Sequence, residues 1–227
     1  MQPNPGPGKL IVMEGLDGSG TSTQAPRLAQ WLRHRGLRVY VTREPTPGAA
    51  GVFIRPFLAR RFALDGKTLA ALFSADRLDH LYAPGGVADR LRAGEWVLMD
   101  RYYLSSFAYQ ALSLDAAELQ WIDHLHAPCL IPDVTFFLDA PVRVCLDRIA
   151  AGRASHFEIF EREDILKRVR RNYLDVIVWL RQQRQQIQVV DGSRPIADVG
   201  ADVRKRTRLL FDSNALPPVE QAALWER

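Results

Sequence analysis

The sequence predicts an α/β fold, a five-stranded parallel sheet flanked by helices. Three observations carry the prediction. Five short apolar runs alternate with helical stretches, which implies parallel strands joined by crossover helices. The first run leads into Gly15-Leu16-Asp17-Gly18-Ser19-Gly20-Thr21-Ser22-Thr23 and then into a helix. Strand, glycine-rich turn and helix form the setting of a phosphate-binding loop. Arg43, Asp100-Arg101 and Asp191 each stand at the carboxyl end of a run, where ligands bind in such folds.

Taken in order, Leu10-Ile11-Val12-Met13 reads as a buried strand and Ser22 to Trp31 as the first helix. Arg38 to Thr42 is the second strand. The prolines and glycine of Arg43-Glu44-Pro45-Thr46-Pro47-Gly48 exclude helix there. Helices are expected over Val52–Arg61 and Lys67–Tyr82. The second of these carries an apolar face of Leu69, Leu72, Phe73, Ala75, Leu78 and Leu81. Pro84-Gly85-Gly86 breaks it, and a short helix runs to Arg92. Trp96 to Met99 is the third strand, ending at Asp100. Helices over Ser105–Leu112 and Ala116–His126 precede the fourth strand, Val134 to Leu138, and Pro141–Ala151 is helical beyond it. Residues 151–163 lack periodicity and read as a mobile segment over a site. A long helix over Asp164–Gln183, a fifth strand over Ile187–Val190 and a last helix over Ile196–Leu210 complete a core of about residues 9–210. A tail at 213–227 follows, and the whole is read as one domain over 1–227.

The loop fits G-x-x-x-x-G-K-[ST] except at one place. Gly15, Gly20 and Ser22 hold their positions, but Thr21 stands where lysine belongs. That lysine lies along the outer phosphates as a point charge. Lys9, on the same strand, is roughly 20 Å away at ~3.3 Å per residue, so it cannot substitute. Four lysines stand among 30 basic residues, so arginine must do any phosphate work. Pro26 is a second departure, because it removes a helix hydrogen bond past the first turn.

A net charge of +4 suits a polyanionic small substrate such as a nucleotide, and nothing calls for nucleic acid. No run is long enough to span a membrane. The Pro- and Gly-rich Met1–Lys9 lacks the basic and apolar regions of a secretion signal. Cys129 and Cys145 have neither metal-ligand nor disulfide spacing, which fits a reducing, cytoplasmic setting. His80, His124, His126 and His156 show no metal spacing.

The chain resembles the thymidylate kinases of the P-loop nucleoside-monophosphate kinase class. The matching segments are Gly15–Gln24, Thr42-Arg43-Glu44-Pro45 and Phe73-Ser74-Ala75-Asp76-Arg77. Asp100-Arg101-Tyr102 matches through Ser105-Ser106 to Ala108-Tyr109-Gln110. Pro132-Asp133, Phe137-Leu138-Asp139, Phe160-Glu161, Tyr173-Leu174 and Asp191-Gly192-Ser193 follow in order. The resemblance implies transfer of the ATP γ-phosphoryl group to thymidine monophosphate (dTMP), with Mg²⁺. It implies a donor site of Gly15, Gly18, Ser19, Gly20, Thr21, Ser22 and Thr23, with Ser22 and Asp100 as metal-holding residues. Arg148 and Arg153 resemble lid arginines that close on ATP, and Glu161 a lid acid, although Phe157-Glu158 offers a competing register. Asp17 faces the acceptor sugar, and Arg43 and Arg101 hold the acceptor phosphate. Phe73 stacks on the base, Arg77 reaches its carbonyl edge, and Ser105, Tyr109 and Gln110 line the nucleoside pocket. Tyr109 is expected to disfavour a 2′-hydroxyl. Family members are homodimers.

Three readings follow: a thymidylate kinase slowed by Thr21, a kinase for another nucleoside monophosphate or deoxynucleoside, or a nucleotide-binding protein without catalysis. Arg153 and Arg148 are the expected substitutes for the missing lysine. An arginine inside the loop is not available, because that position is Gly18.

Overall fold

The computed structural model describes residues 1–59, 65–110, 116–152 and 162–211. Five strands run parallel in the order β2-β3-β1-β4-β5: β1 (Leu10–Gly15), β2 (Val39–Arg43), β3 (Trp96–Asp100), β4 (Val134–Asp139) and β5 (Ile187–Asp191). The central strands β1 and β3 are buried throughout, whereas the edge strands β2 and β5 are half-exposed. That is the pattern of a parallel sheet covered on both faces.

Alternate residues of each strand feed opposite cores. Leu10, Val12, Val97, Met99 and Phe137 pack on one side. Against them lie α3 (Gly66–Tyr82), α4 (Val87–Arg92), α5 (Tyr103–Gln110) and α8 (Glu163–Gln182). Ile11, Met13, Leu98, Phe136 and Leu138 pack on the other, against α1 (Thr21–Arg33) and α9 (Ile196–Thr207). The remaining helices are α2 (Ala49–Leu58), α6 (Ala116–Leu125) and α7 (Val142–Gly152). A short 3₁₀ turn, Arg208–Leu210, ends the described chain. Register brings the strand ends together: Arg43 lies beside Asp100, Met13 beside Asp100, and Asp139 beside Asp191.

Several boundaries differ from the expectation. α2 begins at Ala49, three residues early, because Gly48 in extended conformation already ends the proline-rich loop. α5 begins at Tyr103, where backbone bonds from Tyr102 and Ser105 to the Glu14 carboxylate fix the turn. The buried face of α3 also needs correcting. Ala75 is exposed, while Ser74, Asp76 and Arg77 are buried. Partners from the β2–α2 loop make this possible, since buried charge needs compensation. Asp76 accepts from the Thr46 N–H at 2.8 Å and the Thr46 hydroxyl at 2.5 Å. Arg77 donates to Glu44 at 2.8 Å. The tail and residues 153–161 of the expected lid lie outside the described residues.

Candidate active site

The phosphate loop joins β1 to α1. Gly20, at φ 105°, precedes α1, and no side chain caps the helix and no acid stands in its first turn. The Thr23 N–H donates to the Gly20 carbonyl at 3.1 Å, so among the described residues the Thr21 and Ser22 amides, with the positive dipole end, are left for an anion. Gly18, at φ 80°, packs against α7: a Cβ there would lie 2.4 Å from the Cys145 carbonyl oxygen. No side chain fits, so an arginine at that position is excluded by packing as well as by sequence. Thr21 is 5% exposed, a buried neutral hydroxyl in place of a cation.

Two cavities flank this loop. A cavity of about 480 Å³ is lined by residues 17–24 together with Arg101, Arg148, Gly192, Arg194, Ile196 and Val199. A second of about 260 Å³ is lined by Asp17, Ser22, Arg43, Glu44, Pro45, Arg55, Leu58, Phe73, Arg77, Asp100, Arg101, Tyr102, Ser105, Ser106, Tyr109 and Gln110. Asp17, Ser22 and Arg101 line both. Every described candidate except Gly15 thus borders one cavity or both. Gly15 lies beneath them, its carbonyl bonded to Arg101. Arg153 and Glu161 lie outside the described residues.

Arg101 is the hinge between the cavities. Its φ is 74°, a left-handed value that costs a non-glycine residue about 1 kcal/mol or more. Its own N–H donates to the Met13 carbonyl at 2.9 Å, and the next N–H, of Tyr102, donates to Glu14 at 2.8 Å. Those bonds hold the turn. The guanidinium donates to Asp17 Oδ1 at 2.6 Å, to the Tyr173 hydroxyl at 3.2 Å and to the Gly15 carbonyl. Burial opposes its charge, but Tyr109, Asp17, Tyr173 and Asp100 around it raise its pKa, so it stays a cation. The Tyr109 hydroxyl donates to the other oxygen of Asp17 at 3.3 Å.

Beneath Arg101 lies a group the sequence reading missed. Glu14 is fully buried and accepts from Ser105 Oγ at 2.6 Å and the Tyr173 hydroxyl at 3.1 Å. Burial pushes its carboxyl up to about 7, against the opposing pull of Arg101 and these donors. The Ser105 hydroxyl is committed to this carboxylate, although Ser105 also borders the smaller cavity.

Asp100 and Ser22 meet directly: Ser22 Oγ donates to Asp100 Oδ2 at 2.6 Å. Asp100 Oδ1 is buried with no hydrogen-bond partner among the described residues. A lone buried carboxylate oxygen beside a hydroxyl at the phosphate loop is a donor set that fits Mg²⁺, a hard cation that keeps most of its ligands as water and phosphate oxygen. No cluster of three His, Cys, Asp or Glu side chains suited to a metal occurs among the described residues. The fit therefore depends on phosphate completing the shell.

In the smaller cavity, Arg43 is exposed and has no ion pair among the described residues. Arg55 is a further cation that the sequence reading missed. It donates to the Pro45 carbonyl at 2.7 Å and the Thr46 carbonyl at 3.2 Å, and it has no carboxylate partner among the described residues. Its only signal in the sequence was an arginine on a helix, one of many.

Arg77 is 1% exposed and held on three sides. Nε and Nη2 grip Glu44 at 2.8 and 2.6 Å, and Nη1 donates to Ser106 Oγ at 3.0 Å. Nη1 also lies 3.3 Å from both ring nitrogens of His126. Equal distances place it over the imidazole face rather than in line with either nitrogen. Burial and the neighbouring Arg77 charge hold His126 well below its ordinary pKa, so the ring under the cation is neutral. Phe73 is half-buried at the cavity wall, and Gln110 ends α5 there.

On the larger cavity, Arg148 Nη1 donates to the Gly192 carbonyl at 2.8 Å and reaches those of Gly18 and Ser19 at 3.4 Å. Arg194, absent from the sequence reading, pairs with Asp202 at 2.9 Å. Lys9 pairs with Asp133 at 2.9 Å, at the amino end of the strands.

Comparison with known proteins gives one answer. The family model for thymidylate kinase matches residues 13–203. A thymidylate kinase of Leifsonia xyli subsp. xyli is 38% identical over 204 residues, covering 88% of this chain and 94% of that protein. One from Nitrosomonas eutropha is 37% identical over 196 residues, covering 85% and 88%. A probable thymidylate kinase of Thermococcus gammatolerans is 37% identical over 205 residues, covering 86% and 94%. With matches of this length and a site on the carboxyl rim of a parallel sheet, the chain belongs to the thymidylate kinase family.

Proposed function

We propose that the protein transfers the γ-phosphoryl group of ATP to dTMP, giving ADP and dTDP. The single observation that carries this reading is the pair of cavities meeting at Asp17, Ser22 and Arg101. Two nucleotides set end to end need that arrangement. In-line phosphoryl transfer asks a protein for placement and charge neutralisation rather than covalent chemistry.

The larger cavity takes ATP, its phosphates on the uncapped start of α1. Arg148, held among the carbonyls of Gly18, Ser19 and Gly192, sits at the mouth of that cavity. The smaller cavity takes dTMP. Phe73 stacks on the base, and Arg77 presents its Nη1 edge with Ser106 to a base carbonyl. Tyr109 and Asp17 meet the sugar, Asp17 accepting from its 3′-hydroxyl. Arg43, Arg55 and Arg101 draw in the acceptor phosphate. Ser22 and Asp100 would hold Mg²⁺, which when bound neutralises phosphate charge. Glu14 acts through Ser105, Tyr173 and the turn at Arg101 to keep that guanidinium in place.

The paired subunits seen across the family are proposed here too, supported by Val52 and Phe53 of α2, which are 54% and 58% exposed. Light scattering on the purified chain is expected to give twice the chain mass, and a monomer at micromolar concentration would contradict pairing.

A coupled ADP-release assay with Mg-ATP tests the reaction. dTMP is expected to exceed dUMP, dCMP, dAMP, dGMP and thymidine by at least about tenfold in kcat/KM. Preference for another acceptor would replace dTMP in the smaller cavity. The one observation favouring a binding protein without catalysis is Thr21. That reading predicts binding of both nucleotides with no ADP formed.

A further inference from the structure

The end of the molecule opposite the two cavities carries positive charge that phosphoryl transfer does not use. α1 and α9 both start at the carboxyl rim of the sheet, where Gln24 Nε2 donates to the Ile196 carbonyl at 2.9 Å. Both run down to the amino edge, where Phe211 stacks on Trp96, the first residue of β3, at 5.1 Å. Residues 18–43 contain no Asp or Glu, and neither do residues 203–211. Read along the sequence, a net charge of +4 calls for no nucleic acid. The fold changes that by laying two acid-free segments side by side.

Trp31 stands between them. The Arg35 guanidinium lies over its ring at 3.7 Å, the Arg208 guanidinium at 5.9 Å, and the Phe211 ring meets it edge-on at 6.3 Å. Arg27 precedes Trp31 by one helical turn and Arg204 precedes Arg208 by another, about 6 Å along each axis. Lys205 is exposed beside them. The acids nearest in the chain are already engaged: Asp202 by Arg194 and Arg206, Glu95 by Arg90, and Asp89 by Arg92. Arg27, Arg35, Arg204, Lys205 and Arg208 have no carboxylate partner among the described residues. Arg33 and Arg38 donate only to the carbonyls of Val39 and Ala93, so their charge adds to the patch.

Arginines interleaved with aromatic rings suit one class of polyanion. Guanidinium groups pair with phosphates, while bases stack on rings and on guanidinium planes. Phe211 has one face on Trp96 and is 40% exposed, which leaves room for a base on the other. A lipid surface asks instead for apolar side chains that protrude into the acyl boundary. Trp31 is only half-exposed and lies beneath Arg35, which disfavours that partner.

We propose that this face binds single-stranded nucleic acid, its phosphates on the arginines around Trp31 and a base on Phe211. The surface lies at the other end of the strands from the nucleotide cavities, so a strand and the substrates bind together. The inference stands independently of which nucleotide the smaller cavity accepts.

Fluorescence anisotropy of the full chain with a labelled oligodeoxycytidylate of about 20 nucleotides tests it; a cytidylate strand presents neither adenine nor thymine to the cavities. Engagement of about four phosphates is expected to make log Kd rise with log salt at a slope of about 3, at ~0.7 per phosphate. The double variant Arg35→Gln, Arg208→Gln is expected to weaken binding at least tenfold and to lower the slope by about 1.4. Phe211→Ala is expected to weaken it at least threefold with the slope unchanged, the mark of lost stacking rather than lost charge. ADP release should be unchanged in each variant, and saturating β,γ-methylene ATP with dTMP should leave strand affinity unchanged.

The inference is overturned by no binding at ~50 mM salt and ~50 μM protein, by binding that the double variant retains, or by displacement with the two nucleotides. Tighter attachment to phosphatidylglycerol vesicles or to polyglutamate than to the strand overturns it as well. Should a variant lose its fold, the wild-type chain answers by arginine modification. The strand is expected to slow phenylglyoxal modification of Arg35 and Arg208 at least threefold by peptide mapping, and unaltered modification overturns the inference.

Discussion

Replacing Glu14 by glutamine probes the layer beneath the site with a quantity that can be worked out beforehand. The carboxyl is fully buried and its pKa stands near 7 rather than 4.5, burial being the main cause and Arg101, Ser105, Tyr102 and Tyr173 pulling the other way. In the unfolded chain the group ionises near its ordinary value. Between the two values the folded state holds a proton that the unfolded state has released. Stability from this group is therefore full below the unfolded pKa and is lost as pH rises through about 7. Between about pH 5 and about pH 8 the loss integrates to about 2.5 kcal/mol, at ~1.36 kcal/mol per unit. Glutamine keeps the shape and cannot ionise. Urea unfolding at the two pH values is expected to show the variant gaining about 2.5 kcal/mol on the wild type as pH rises. A difference that stays flat within about 0.5 kcal/mol would mean that Glu14 ionises normally in the fold, and would refute the burial argument.

Other perturbations follow from the same geometry. Asp100→Asn removes charge from the oxygen left without a partner; we expect kcat to fall roughly a hundredfold or more and the Mg²⁺ requirement to rise, as read by titrating Mg²⁺ in the ADP assay. Gly18→Ala forces a Cβ to 2.4 Å from the Cys145 carbonyl at a φ of 80°. It is expected to cost at least about 1–2 kcal/mol and to abolish stabilisation by ATP in thermal unfolding. Glu44→Gln leaves the Arg77 guanidinium buried without its counter-charge, and urea unfolding is expected to record a loss of about 3–5 kcal/mol with a raised KM for dTMP.

How much of this was legible in the sequence depends on the distance over which each residue finds its partners. The strands were legible because their apolar runs are local, and the rim of the sheet gathered Arg43, Asp100 and Arg101 because parallel strands all end on one side. Asp76 and Arg77 defeated the helical pattern, because the atoms that make their burial tolerable, on Thr46 and Glu44, come from a loop some thirty residues earlier. Arg55 was invisible for a related reason: nothing in a helix marks an arginine that lacks an acid. Glu14 did carry a signal, a charge inside a buried strand. Its explanation required Tyr173, 159 residues away.

The central claim is that two nucleotides lie end to end across the junction at Arg101. Calorimetry with one molecule carrying adenosine and thymidine joined 5′ to 5′ through a polyphosphate bridge tests it most directly. One such molecule is expected to bind per chain and to displace both β,γ-methylene ATP and dTMP. Displacement of only one of them, or two molecules bound per chain, would contradict it.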